Sequence, residues 1–133
     1  MNKIEAIISQ IDNIDNLNIV QFDFSGIKLK MMSLDLNENI KIGQKVILVA
    51  KATNIILARD FEGMISFSNQ IKAKIESIEE GKLLCSVTIK AKNSYFQSII
   101  TQASAKKMNL KKDEEINIFI KASDLSIEEV INV

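Results

Sequence analysis

Apolar and polar residues alternate along most of the chain, and the alternation occurs twice. Ile4-Glu5-Ala6-Ile7-Ile8 lies over Ile71-Lys72-Ala73-Lys74-Ile75. Ile40 to Asp60 lies over Leu110 to Val130, with Lys51-Ala52-Thr53 falling on Lys121-Ala122-Ser123. Within that segment Val46, Leu48, Ile55 and Leu57 meet Ile116, Ile118, Leu125 and Ile127. A period of two marks strands with one buried face, and self-similarity marks a repeated unit. The first copy predicts strands over Ile4–Ile11, Ile19–Phe24, Ile27–Met31, Val46–Ala50 and Ile55–Ala58. The second predicts Ile71–Ile78, Leu83–Ile89, Phe96–Ile100, Ile116–Ile120 and Leu125–Ile127. The matched ends differ in register, and the extra residues of the second copy are placed in a loop around Lys92 to Ser98.

Turn chemistry separates the strands. Asp12 to Asn18 is rich in Asp and Asn, and Glu79-Glu80-Gly81-Lys82 carries a glycine suited to positive φ. Thr101 to Met108 joins good helix formers to hydroxyl residues able to N-cap, so one short helix is expected there. Five short strands per copy leave exposed edges unless they curl shut. The expected fold is therefore mainly all-β: two tandem OB-like small β-barrels, each with one short helix. The first module spans 1–60 and the second 65–133, joined near Asp60–Ile65, where Phe61-Glu62-Gly63-Met64 breaks the pattern.

Composition narrows the function. There are 17 basic and 17 acidic residues, so no net positive charge favours phosphate backbones. Aromatic residues are scarce at 5%, which argues against base stacking; no nucleic-acid partner is expected. His is absent, which removes the Ser-His-Asp and Cys-His arrangements and the commonest metal ligand. Cys85 is the single cysteine and sits in the alternating run Leu83 to Ile89, where it reads as core. With only four glycines there is no Gly-rich phosphate loop, and an enzyme is not expected. No apolar run approaches the ~20 residues needed to cross a bilayer, and Met1 to Asn16 has charges inside its apolar stretch. No membrane partner and a cytoplasmic location are the expectations. Arg59 beside Asp60 reads as a solvated pair, and Met31-Met32 as core filling.

Three segments of the second copy resemble the molybdate-binding Mop, or TOBE, module. Ser66-Phe67-Ser68-Asn69-Gln70-Ile71-Lys72-Ala73-Lys74 is similar to the family's opening Ser-Ala-Arg-Asn-Gln element. Thr101-Gln102-Ala103-Ser104 followed by Met108-Asn109-Leu110 is similar to its Thr-x-x-Ser segment before a Gly-Leu turn. Lys121-Ala122-Ser123-Asp124-Leu125 is similar to its Lys-Ala-Ser element. As two modules the resemblance spans nearly the whole chain, as in the small paired-module proteins called molbindins.

The resemblance implies binding of molybdate or tungstate for storage, buffering or sensing, with no organic cofactor and no metal coordinated directly by side chains. Both are tetrahedral dianions without protons, so a site needs hydrogen-bond donors and little else. Carried over, Thr101 and Ser104 donate from the start of the short helix, Lys121 supplies charge, and Ala122 and Ser123 offer backbone N–H groups. Ser66 and Ser68 come from the opening segment, which in the family meets the rest of the site across a subunit boundary. A homo-oligomer, dimer or trimer, is implied. Ser68 stands where the family has Arg. In the first copy only Lys51-Ala52-Thr53 is kept, with Met31 and Leu34 taken as the counterparts of Thr101 and Ser104. Lys51 is accordingly the weaker candidate and the first site a degenerate one. The plain structural readings remain open: Thr101 and Ser104 as helix cap, Lys121 as an exposed strand-end lysine, Ser66 and Ser68 as loop residues. So does the alternative that the chain is an oligomeric interaction or scaffold module that has lost oxyanion binding.

Overall fold

The computed structural model describes residues 1–131. Its first half forms β1 (Asn2–Ile14), β2 (Leu17–Phe24), β3 (Ile27–Ser33), β4 (Lys45–Ala50) and β5 (Ile56–Ala58). Its second half forms β6 (Asn69–Glu80), β7 (Leu84–Ala91), β8 (Ser94–Thr101), α1 (Gln102–Met108), β9 (Glu115–Ile120) and β10 (Ser126–Ile131). Short 3-10 turns at Ala52–Asn54 and Ala122–Asp124 precede β5 and β10. Every expected strand is present, and the helix starts behind Thr101 as expected. The fold is mainly β, two curled OB-like sheets with one α-helix among the described residues; the short helix expected in each copy forms only in the second, and the first has an open loop between β3 and β4.

The two sheets exchange their last strands. One has the order β10-β4-β1-β2-β3 and the other β5-β9-β6-β7-β8. Thus β5 pairs with β9 through Ile56–Phe119 and Ala58–Asn117, while β10 pairs with β4 through Ser126–Val49 and Ile131–Lys45. A repeat defined by sequence and a sheet defined by hydrogen bonds are therefore different units: each sheet takes four strands from one copy and its final strand from the other. A β-bulge between Ile8 and Gln10, matched by one between Ile75 and Ser77, bends each long first strand. The bend lets one strand pair with different neighbours along its length.

The core is continuous through both halves. Fully buried Phe22, Leu48, Ile55, Ile71, Ile89 and Ile118 belong to it, and Phe24 meets Phe96 edge-on with ring centroids 6.1 Å apart. Cys85 is buried as expected, and burial raises its thiol pKa, with Glu80 adding to the shift. Met31 is core, but Met32 is exposed.

Two asparagines at equivalent positions clamp the halves together. Asn2 Nδ2 donates to the Gln97 carbonyl at 2.8 Å and its Oδ1 accepts from the Gln97 N–H at 2.6 Å. Asn69 does the same to Lys30, at 2.9 Å and 2.6 Å. Both asparagines are buried, and each amide satisfies one main-chain donor and one acceptor of the opposite sheet.

Three local expectations are corrected. The hairpin at Lys92 is no longer than its counterpart at Ser25, since both pairs of strands meet in the same register around Phe22–Leu29 and Ile89–Phe96. The extra residues instead build α1, between the third and fourth strands. A helix needs more chain than the open loop from Leu34 to Gln44 provides. Consequently Thr101 matches Leu34 in space, not Met31. Gly81 is not among the positive-φ residues; it is required for closeness, because a Cβ there would lie 2.7 Å from the Leu84 carbonyl oxygen. Arg59 does not pair with Asp60. Its Nε and Nη2 donate to Glu114 at 2.7 and 2.8 Å, tying the end of β5 to the start of β9. That hydrogen-bonded pair raises the Arg59 pKa and lowers the Glu114 pKa against the opposing effect of burial.

Candidate functional site

The sequence candidates fall into two groups at opposite ends of β6. Asn69, where β6 begins, pairs with Ile120, which places Ser66 and Ser68 at the same end as Lys121, Ala122 and Ser123. At the far end Glu80 pairs with Cys85, and the neighbouring Leu84 pairs with Thr101. Within one chain, then, Thr101 and Ser104 do not meet Lys121.

The helix-start group is self-contained. Thr101 has extended backbone and its hydroxyl accepts from the Ser104 N–H at 3.1 Å, so it caps α1. The Thr101 and Ser104 hydroxyls are 2.9 Å apart. The capping reading is thus realised, and with Thr101 donating to Ser104 the linked pair still has the Ser104 hydroxyl proton to offer outward. The α1 C-terminus is closed by Asn109 in the left-handed region. Thr101 borders a cavity of about 510 Å³ together with Lys82 and Lys106, and the adjacent Leu83 and Leu84 are 82% and 57% exposed. Sequence reasoning missed Gln102, whose buried Oε1 has no hydrogen-bond partner among the described residues. It is an acceptor and adds nothing to an anion's donor set.

The lysine group sits where the exchanged strands cross. Lys51 and Lys121 each end a strand in extended conformation and open a 3-10 turn. The first N–H groups of such a turn have no partner inside it, which leaves those of Ala122 and Ser123 available. Lys51 and Asn54 from one turn and Ser123 and Asp124 from the other line one cavity of about 220 Å³. The structure therefore brings Lys51 and Ser123 together, which the linear sequence does not suggest. The two lysines differ in their neighbours. Ser126 pairs with Val49, so the antiparallel run carries Asp124 toward Lys51. Ile56 pairs with Phe119, so the corresponding run carries Asn54 toward Lys121. The cross-strand carboxylate beside Lys51 opposes a bound anion and the cross-strand amide beside Lys121 does not, while Asp124 also closes the turn that Lys121 opens. Ser66, Ser68, Lys121 and Ser123 are exposed, and Ala122 is half-buried.

Asn69 belongs to the same opening element as Ser66 and Ser68, yet its side chain is committed to Lys30 and is fully buried. Its role is to fix where β6 begins. The segment leading into β6 is further held by Phe67, stacked on Phe119 at 5.7 Å, and by Phe61, edge-on to the same ring at 5.3 Å. These aromatic contacts anchor the backbone that carries Ser66 and Ser68.

These features define a class: paired small β-barrels presenting hydroxyls, turn N–H groups and single lysines at strand ends. Residues 65–127 match the TOBE domain family. Over the whole chain the fold is similar to that of the cytoplasmic molybdate-binding protein ModG in a crystal form with molybdate bound. That match has 22% identity and a TM-score of 0.87, and covers 95% of this chain and 94% of ModG. A molybdate-binding protein from Sporomusa ovata matches with 22% identity and a TM-score of 0.44, over 45% of this chain and 90% of that one. No curated protein matches the sequence. No helix among the described residues is long and apolar enough to cross a membrane.

Proposed function

We propose that this chain is a cytoplasmic binding protein for molybdate or tungstate, not an enzyme, and that its sites are completed between subunits of a homo-oligomer. The observation that carries the reading is the separation of the donors: hydroxyls at one end of β6, a lysine with free turn N–H groups at the other. A tetrahedral dianion needs several donors and one cation. Juxtaposing the two ends from different subunits adds the Thr101 and Ser104 hydroxyls to the donors gathered around Lys121. The exposed Leu83 and Leu84 beside Thr101 are consistent with burial against another subunit. The family match over residues 65–127 and the molybdate held by ModG support the choice of ligand.

In this reading Lys121 provides the charge, and Ala122 and Ser123 provide backbone N–H groups. Ser66 and Ser68 contribute hydroxyls from the same end, and Thr101 with Ser104 contribute from the neighbouring subunit. Lys51, beside Asp124, binds more weakly. Geometry of uncharged donors, rather than accumulated positive charge, then separates these anions from phosphate.

Native mass spectrometry with and without molybdate or tungstate, run beside Lys121→Ala, tests this. Discrete adducts on an oligomer, lost in the variant, are expected. A stable oligomer without adducts at millimolar anion would move the assignment to a scaffold role, and adducts on a monomer would overturn the shared site.

A further inference from the structure

The second half carries a concave surface about twice the volume of the equivalent one in the first half, about 480 Å³ against about 230 Å³. A cavity of about 480 Å³ lies where the linker crosses β6, β7 and β9, lined by Lys72, Lys74, Lys90 and Lys92, with Asp60 and Glu115 as its carboxylates. Lys74 and Lys90 are directly opposite each other across β6 and β7. Like charges in that position are destabilising. The three ion pairs among the described residues, Lys3–Glu128, Lys45–Glu5 and Arg59–Glu114, involve none of the four lysines. In the first half the equivalent positions hold Glu5, Ile7, Asp23 and Ser25, and the equivalent of Glu115 is Lys45, which pairs with Glu5 at 3.8 Å. The same scaffold is thus stable without a lysine at any of these positions. Lys90 Nζ lies 5.6 Å from the Tyr95 ring centroid and Lys74 stands opposite Glu115 on β9, but among the described residues the fold gives Lys72 and Lys92 no such partner.

The cavity has an apolar side as well. Phe61, 38% exposed as a residue, lines it with its ring edge-on to Phe119, and Ala73 forms part of the wall. The volume lies within the range of small-ligand sites, which combine apolar walls with a few convergent charges.

We propose that this cleft binds a nucleoside polyphosphate, with phosphates among Lys72, Lys74, Lys90 and Lys92 and the base against Phe61. Four ammonium groups spread over the cleft match a charge distributed along a phosphate chain better than a single compact dianion. The flat apolar patch matches a ring. This site is separate from the oxyanion donors and does not depend on them.

Calorimetric titration of the full chain at low salt tests the assignment, using ATP, tripolyphosphate and adenosine as probes. The expected order is ATP, then tripolyphosphate, then adenosine. A triple variant carrying the first-half residues, Lys74→Ile with Lys90→Asp and Lys92→Ser, should weaken ATP at least tenfold and leave molybdate adducts unchanged. The single Lys92→Ser, in the hairpin turn, should weaken ATP severalfold and guards against misfolding of the triple. No heat with millimolar ATP, or equal ATP affinity in the variants, would overturn the site. Equal affinity for tripolyphosphate and ATP would overturn the placement of the base. Loss of the oligomer in the triple variant would overturn it in favour of an acidic face of a second copy.

Discussion

The two halves share a scaffold but differ in what they present. Asn2 and Asn69 make the same pair of hydrogen bonds to the opposite sheet, and the bulges after Ile8 and Ile75 coincide. At the positions that face solvent the halves diverge. Thr101 and its helix stand where the first half has Leu34 and an open loop, the strand register carries Asn54 toward Lys121 and Asp124 toward Lys51, and four lysines replace Glu5, Ile7, Asp23 and Ser25. The difference teaches that the buried, hydrogen-bonded positions hold the duplication together. The exposed positions are free to specialise, because changes there alter charge without costing packing.

The largest expected effect comes from dividing the repeats. Residues 1–60 alone lack β10 and leave the β4 edge and the core beneath it uncovered. A chain of 1–60 should show no cooperative unfolding transition in urea. A monomeric fragment that unfolds cooperatively would mean that the exchanged strand is dispensable, and the halves would then be independent.

The clamps come next. Asn69→Ala leaves the part-buried N–H and carbonyl of Lys30 without their side-chain partner, an expected loss of ~2 kcal/mol by denaturant titration. Asn2→Ala should cost a similar amount, since its geometry is the same. A loss of under ~0.5 kcal/mol in either would show that solvent replaces the clamp.

Comparison of the two lysines sharpens the functional contrast. Lys121→Ala should reduce molybdate affinity at least tenfold, about 1.4 kcal/mol, and Lys51→Ala less than threefold. Equal losses would remove the argument built on Asp124 and Asn54.

Arg59–Glu114 has no charged equivalent in the first half, where Gln44 occupies the place of Glu114 and accepts from the Lys41 N–H at 2.8 Å. Glu114→Gln should cost ~1 kcal/mol near neutral pH. Because the folded-state pKa of Glu114 is lowered, its stabilisation is fully present above the unfolded carboxylate pKa. It is lost as pH falls through the folded value. The variant's stability should therefore fall less steeply than the parent's on acidification, as read by thermal melts across the acid range. The smallest effect is expected at Asp113, whose φ of 70° corresponds to the 93° of Gly43. Asp113→Gly should be near neutral or raise stability by up to ~1 kcal/mol, as backbone strain is relieved against greater chain entropy in the unfolded state.

Much of this was legible in the sequence because it depends on local periodicity. Alternation located the strands, the hydroxyl before a run of helix formers located the start of α1, and the repeated Lys-Ala-Ser/Thr turn located Lys51 and Lys121. The insertion was misplaced because the short matched segments fix their own register but not where the added residues fall between them. Asn69 lay inside a recognised element without standing out, since an asparagine before a strand reads equally as a loop residue.

The amino-acid sequence by itself determined the class of fold and the duplication, because each follows from side-chain type and spacing along the strands, while the candidate oxyanion donors came from the resemblance of short motifs. Only the tertiary structure decided which sheet receives each final strand, that Lys51 meets Ser123, that Arg59 reaches Glu114, and that Thr101 and Lys121 lie at opposite ends of β6. Those are contacts between residues distant in sequence. They are selected by burial of a shared core and by satisfaction of main-chain hydrogen bonds, neither of which leaves a periodic trace in the chain.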